Sequence, residues 1–77
     1  MDALEYYNKA LVIKLQVHGT DHPSVGDTYV GMANVYNSQG KYVDALEYYN
    51  KALVIYLQVH GTDHPSVGDT YGNMAMV

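Results

Sequence analysis

The residue types best suited to metal chemistry lie in a six-residue segment that occurs twice, at residues 18–23 and 60–65. Each copy reads His-Gly-Thr-Asp-His-Pro and so carries two imidazoles and one carboxylate, which zinc and nickel accept as ligands. Glycine and proline bracket a turn, however, and neither copy offers a full set of converging ligands. We interpret both segments as structural: the glycine ends one helix, the proline begins the next, and Asp63 or His64 caps it in the second copy. We expect no metal site and no cofactor.

Nucleophilic catalysis has little support in this chain. Ser24 and Ser66 lie close to histidines in sequence, but both are where helices are predicted to begin, and hydroxyls commonly cap helices there. No pair of facing carboxylates is apparent, and the residues present do not combine into a nucleophile, a base and an orienting group. We therefore expect a protein without enzymatic activity.

Composition excludes several further functions. The 77 residues carry a net charge of −4 with only four lysines, whereas nucleic acids and anionic membrane surfaces are bound by clustered cations. We expect neither as a partner. The chain has no cysteine, so disulfides and thiolate metal sites are excluded. No apolar run is long enough to span a membrane, and the first residues lack the pattern of a signal peptide, so we expect a cytoplasmic protein.

The sequence contains an internal repeat, which indicates how its secondary-structure elements are organised. Residues 44–77 repeat residues 2–35 with an offset of 42 residues, a period typical of solenoid proteins. Among the 34 aligned positions only four differ: Lys14/Tyr56, Val30/Gly72, Gly31/Asn73 and Asn34/Met76. Units of this kind bury their apolar faces against neighbouring units. The repeat therefore indicates that function lies in surfaces that stack or hold a partner.

Glycine and proline divide the chain into four predicted helices, at residues 1–17, 24–39, 44–59 and 65–77. Each carries apolar side chains at spacings of three and four residues, which describe one helix face. These stripes are Leu4, Tyr7, Leu11 and Leu15; Val25, Tyr29, Met32 and Tyr36; Leu46, Tyr49, Leu53 and Tyr56; and Val67, Tyr71 and Met74. Most of the nine tyrosines are thus predicted to pack in the core, and Tyr6, Tyr42 and Tyr48 are the more accessible ones.

The pattern resembles the tetratricopeptide repeat, whose motif places large and small apolar residues at fixed positions of two successive helices. The matching residues in this chain are Tyr29, Met32, Ala33 and Tyr36, followed by Ala45, Tyr49 and Ala52. The 42-residue period and the Gly-Thr-Asp-His-Pro loops are similar to the variety found in kinesin light chains. The resemblance implies one all-α domain over residues 1–77, in which antiparallel helix-turn-helix repeats stack as an α-solenoid. It also implies a non-catalytic scaffold for protein partners.

In such solenoids the first helix of each repeat, helix A, lines a concave groove that receives peptides. The resemblance therefore implies a set of groove residues on the second and fourth predicted helices: Asp27, Val30, Asn34, Asn37, Ser38, Asp69, Asn73 and Met76. Asparagine amides can both donate to and accept from a peptide backbone, so Asn34 and Asn37 are candidate clamps. Two aspartates and no arginine in this set predict a groove that disfavours acidic peptides.

Aligned on the family motif, the helices follow the order B-A-B-A, where B is the second helix of a repeat. Residues 24–59 then form a helical hairpin, residues 1–17 a B helix without its A helix, and residues 65–77 a truncated A helix without its B helix. We expect the unpaired faces to form a self-assembly seam of Leu4, Tyr7, Leu11, Leu15, Val67, Tyr71 and Met74. Homo-oligomers could be open head-to-tail superhelices or closed dimers that exchange helices at residues 39–41. A peptide-binding scaffold and a self-assembling unit both remain open.

Overall fold

The computed structural model describes residues 2–77, which form four helices and no strand. The helices are α1 (Ala3–His18), α2 (Pro23–Ser38), α3 (Tyr42–His60) and α4 (Pro65–Ala75). The most extensive contact joins α2 to α3, while α1 packs on α2 and α4 packs on α3. Asp27 contacts Tyr56, and Tyr36 contacts Tyr48, so α2 and α3 run antiparallel. The all-α repeat fold predicted from the sequence is confirmed.

Side chains cap the N-termini of α1, α2 and α4. The side chain of Asp2 accepts a hydrogen bond from the backbone N–H of Glu5 at 2.9 Å and caps α1. The caps of α2 and α4 are histidines: His22 Nδ1 accepts from the N–H of Ser24 at 3.0 Å, and His64 Nδ1 makes the same bond to Ser66 at 3.1 Å. Of the two capping residues that the sequence left open, the histidine is therefore the one used.

The helix boundaries lie within two residues of the prediction, and those at the start of α3 and the end of α4 differ by two. Helix α3 begins at Tyr42 rather than at residue 44, because Gly40 takes a positive φ of 78° and turns the chain at once. The carbonyl of Lys41 then accepts from the N–H of Ala45 at 2.9 Å and opens the helix. Helix α4 ends at Ala75 rather than at residue 77.

Two clusters of buried side chains form the core around α3. One consists of Ala52, Leu53, Tyr56 and Val67, and the other of Ala33, Ala45 and Tyr49. Small residues bring α2 and α3 close together: a Cβ atom on Gly26 would lie 2.9 Å from the ring of Tyr56. The hydroxyl groups of Tyr49 and Tyr56 each donate a hydrogen bond to a polar acceptor on α2, which satisfies them inside the core.

The contact between α1 and α2 explains two of the four differences between the repeats. The ring of Tyr7 lies against Gly31, where a Cβ atom would come within 2.5 Å of the ring. Lys14 reaches across to α2, and its Nζ donates to Thr28 Oγ1 at 2.9 Å and to the carbonyl of Ser24 at 3.2 Å. Glycine at position 31 and lysine at position 14 are thus fitted to this contact.

Two residues do not lie where the apolar stripes predict. Leu46, predicted to lie on the apolar stripe, is exposed. Tyr48, predicted to be accessible, is partly buried: its ring stacks on Tyr36 with a centroid separation of 5.2 Å. The Nζ atom of Lys51 lies 4.7 Å from the ring centroid of Tyr48, so a cation already covers this aromatic group.

The fold predicts opposite effects for one substitution at two equivalent positions. We expect Gly26→Ala to lower the free energy of unfolding by about 1–3 kcal/mol, since the added methyl group meets a ring that its bond to Asp27 holds in place. Gly68 has open space at the equivalent point of α4, so Gly68→Ala should raise the free energy of unfolding by about 0.5–1 kcal/mol through helix propensity. Urea unfolding of the two variants measures both changes in the free energy of unfolding. Equal changes of the same sign would contradict this packing.

Candidate functional site

A pocket of about 260 Å³ lies between α2 and α4, with a tyrosine of α3 beside it. Its lining residues are Asp27, Val30, Tyr56, Ser66, Asp69, Thr70 and Asn73. Four of the predicted groove residues are therefore brought together, because α2 and α4 lie side by side on α3. The pocket presents two carboxylates, one amide and one branched apolar side chain, which can hold a polar segment of chain with a cationic or neutral side chain.

Asp27 is positioned at the pocket by Tyr56. The tyrosine hydroxyl donates to Asp27 Oδ1. Burial raises the pKa of Tyr56 well above its usual value, and the hydrogen bond to the negatively charged Asp27 adds to the effect. The hydroxyl therefore remains protonated, and a donor, at neutral pH. Asp27 itself stays exposed, so its charge is accessible to a partner.

Asn34 is fixed by a similar bond from the core. The hydroxyl of Tyr49 donates to Asn34 Oδ1, and burial raises the pKa of Tyr49. This bond occupies the carbonyl oxygen of the amide. Asn34 is exposed, so its N–H groups can donate to a carbonyl of a bound chain. Of the two candidate clamps, Asn34 is thus the one with an anchored orientation.

Four predicted groove residues do not line this pocket: Asn34, Asn37, Ser38 and Met76. Asn37 and Ser38 are at the end of α2, and Met76 follows α4 as a highly exposed side chain.

Three lining residues were not among the predicted groove residues: Tyr56, Ser66 and Thr70. The apolar stripe assigned Tyr56 to the core, and its ring is indeed buried, but its hydroxyl reaches the groove edge. The difference between Lys14 and Tyr56 at equivalent positions of the two repeats was a signal that these positions have different surroundings.

The predicted self-assembly seam is differently placed in the structure. Val67 is buried beside α3, and Met74 packs against both core clusters. Among the predicted seam residues on α4, Tyr71 is the exposed one. The seam residues of α1 are Leu4, Tyr7, Leu11 and Leu15, and all four are partly buried. The contacts of Tyr7 and Lys14 indicate that α1 turns this stripe toward α2. In the same way, α3 turns the equivalent stripe toward α4.

The histidine loops serve as helix junctions. The rings of His18 and His22 stack with their centroids 3.9 Å apart, and those of His60 and His64 stack at 3.7 Å. One histidine of each pair caps the following helix through Nδ1, which commits that atom to a backbone N–H. Within residues 2–77 no group of three or more His, Asp or Glu side chains is arranged to hold a metal ion.

Comparison with known families agrees with this architecture. A model described as tetratricopeptide repeat matches residues 1–57 and residues 24–77, which together cover the chain. The chain belongs to the tetratricopeptide repeat family. Repeats of this family mediate protein–protein interaction and are typically non-catalytic. A comparison with curated protein sequences finds no match. Among the described helices, none has the length and apolar character needed to cross a bilayer.

The capping histidine of α4 can be tested against its neighbour in the loop. We expect His64→Ala to lower the free energy of unfolding by about 1 kcal/mol, because the N–H of Ser66 loses its acceptor. Asp63 is exposed and does not cap the helix, so Asp63→Ala should change stability by less than about 0.5 kcal/mol. Thermal unfolding of both variants gives the comparison. A larger loss in Asp63→Ala would show that the carboxylate is the cap.

Proposed function

We propose that this chain is a non-catalytic scaffold whose concave groove, formed by α2 and α4, holds an extended segment of a partner protein or peptide. The observation that carries the proposal is the pocket in which Asp27, Asp69 and Asn73 converge beside Val30. Polar groups at the rim and an apolar side chain between them are the features that peptide-binding surfaces combine. Membership of the family supports a protein partner in general.

The charge of the groove supports a basic or neutral segment as its occupant. Asp27 and Asp69 both line the pocket, and the lining includes no lysine. Lys14 of α1 is engaged with Thr28 and the carbonyl of Ser24. A lysine or arginine side chain of the partner would therefore meet two carboxylates, whereas an acidic segment would be repelled.

The amides supply a way to hold the backbone of that segment. The anchored amide of Asn34 and the partly buried amide of Asn73 lie on the same side of the two A helices as the aspartates. Amides that bind main-chain groups do not select a side chain, so specificity would come from the aspartates. The absence of cysteine supports a reducing, cytoplasmic setting for this function.

Binding of short labelled peptides tests the groove. In a panel of equal length with a central Lys-Arg, Ser-Ser or Glu-Glu pair, we expect fluorescence anisotropy to rank basic first and acidic last. Asp27→Asn keeps an acceptor for the hydroxyl of Tyr56 but removes the charge, and it should weaken binding of the basic peptide roughly threefold to tenfold.

Asp44→Asn is the matched control, because Asp44 is also an exposed aspartate but lies on α3 outside the pocket. It should leave affinity unchanged. Preferential binding of the acidic peptide, or equal losses in both variants, would contradict the assignment of this groove.

Self-association is a second function that we propose for the chain, and one observation favours it. Helix α1 exposes Tyr6, Ile13 and Val17, three large apolar side chains on one face. A contiguous apolar face of this kind typically marks a site of interaction.

A further inference from the structure

We infer that the pocket between α2 and α4 is a binding site for a primary ammonium group, supplied by a lysine side chain of the partner segment. The inference rests on the proposed groove and names the side chain that its pocket selects. Within the molecule, the first repeat already holds an ammonium group, and the second repeat presents the same acceptors to an open pocket.

Lys14 shows what these acceptors hold in the first repeat. Its Nζ atom donates to the carbonyl oxygen of Ser24 at 3.2 Å and to Thr28 Oγ1 at 2.9 Å. Because Thr28 follows Ser24 by four residues, the two oxygens lie on one face of α2. The side chain of Thr28 is only 3% exposed, so this contact is shielded from bulk water. The two oxygens therefore form a site for an ammonium group.

The second repeat has the same two acceptors in the same local arrangement. They are Ser66 and Thr70, which lie 42 residues further along the chain. Thr70 Oγ1 donates to the carbonyl of Ser66 at 2.7 Å, just as Thr28 Oγ1 donates within its own helix at 3.1 Å. A hydroxyl that donates one bond can still accept others. Since Thr70 is 2% exposed and lines the pocket, it provides a buried acceptor there.

The residue that would fill this site from within the molecule is different in the second repeat. The counterpart of Lys14 is Tyr56, which carries no ammonium group and directs its hydroxyl to Asp27 on α2. Among the described residues that line the pocket, none is a lysine. The pocket volume of about 260 Å³ is several times the share of one water molecule, roughly 30 Å³. It therefore has room for an ammonium group and the end of its alkyl chain.

The sequence differences between the two repeats lie around this pocket. Of the four positions at which the repeats differ, three contribute a lining residue: Tyr56, Val30 and Asn73. The two acceptor positions do not differ. The second repeat thus retains the ammonium site and changes the side chains that surround it.

Charge in the pocket favours a cation over a neutral group. Asp69 follows Ser66 by three residues, and both line the pocket, as does Asp27 from α2. An ammonium group has three N–H donors, and a carbonyl, a hydroxyl and a carboxylate can accept all three. Hydrogen bonds between charged groups are stronger than those between neutral ones. The second site is therefore suited to bind an ammonium group that is not part of the chain itself.

The hydrogen-bonding pattern distinguishes lysine from other cations. A guanidinium group presents its five N–H donors in a flat fork that matches the two oxygens of one carboxylate, whereas an ammonium group is a compact donor. The contacts of Lys14 show that a carbonyl and a hydroxyl one turn apart fit the compact group. Trimethyllysine keeps the positive charge but has no N–H group. A groove that attracts charge alone would accept all three side chains.

Peptides of equal length with one central lysine, trimethyllysine or arginine test this selection. By fluorescence anisotropy we expect the lysine peptide to bind roughly tenfold more tightly than the trimethyllysine peptide, with arginine between them. Thr70→Val replaces the accepting hydroxyl with a methyl group and should abolish the difference between lysine and trimethyllysine. Thr28→Val is the matched control, because Thr28 is equally buried but bonds to Lys14. It should leave the difference unchanged.

Equal binding of the lysine and trimethyllysine peptides would overturn the ammonium site while leaving a groove that binds basic segments. Equal effects of Thr70→Val and Thr28→Val would overturn it as well. Circular dichroism establishes that both variants remain helical.

A small probe tests the pocket without a peptide. We expect n-butylammonium, at tens of millimolar, to cause saturable changes in the amide NMR signals of Ser66 and Thr70. Neither n-butanol nor tetramethylammonium should do so, and Thr70→Val should abolish the response. The absence of a saturable response would overturn the inference. Saturable binding of n-butylammonium without binding of any peptide would support the ammonium site and contradict the proposed groove.

Discussion

The structure depends on the close approach of α2 and α3. Gly26 and Ala33 on α2 leave room for two tyrosine rings of α3, and each ring sends its hydroxyl to a polar group of α2. Burial of a large ring is favourable only if its hydroxyl finds a partner, and Asp27 and Asn34 supply one. The bond from Tyr56 also positions the carboxylate of Asp27 at the pocket between α2 and α4. Packing of the hairpin and presentation of the candidate binding groups are therefore one interaction.

Two nearly identical sequences occupy unequal environments in this molecule, and the differences between them follow from that inequality. Gly31 accepts the ring of Tyr7, whereas the equivalent ring of Tyr49 turns its hydroxyl to Asn34 and leaves room for Asn73. Lys14 bridges to polar groups of α2, while its counterpart Tyr56 is covered on both sides and completes the core. Even so, the equivalent faces of α1 and α3 retain the same apolar side chains, of which α3 covers more: Ile55 is buried and Tyr48 partly buried, whereas Ile13 and Tyr6 are exposed.

Periodicity and turn residues predicted the number of helices, their order and the family, because each of these depends on local sequence. Asp27, Val30, Asp69 and Asn73, which the resemblance assigned to the groove side of the two A helices, line one pocket in the structure. The neighbour that each apolar stripe contacts could not be predicted from spacing alone. Val67 and Leu11 carry equally apolar side chains whether they face the core or a second molecule. Likewise, only the packed structure distinguishes Tyr48, which is covered by Lys51, from Tyr6, which is exposed.

Amide hydrogen exchange resolved by residue tests most directly the claim that the contact between α2 and α3 is the stable unit on which the other helices depend. At low micromolar concentration, we expect the amides of the buried positions Ala33, Ala45 and Tyr49 to exchange last and those of α4 to exchange first. Protection of α4 equal to that of α3 in dilute solution would contradict the account.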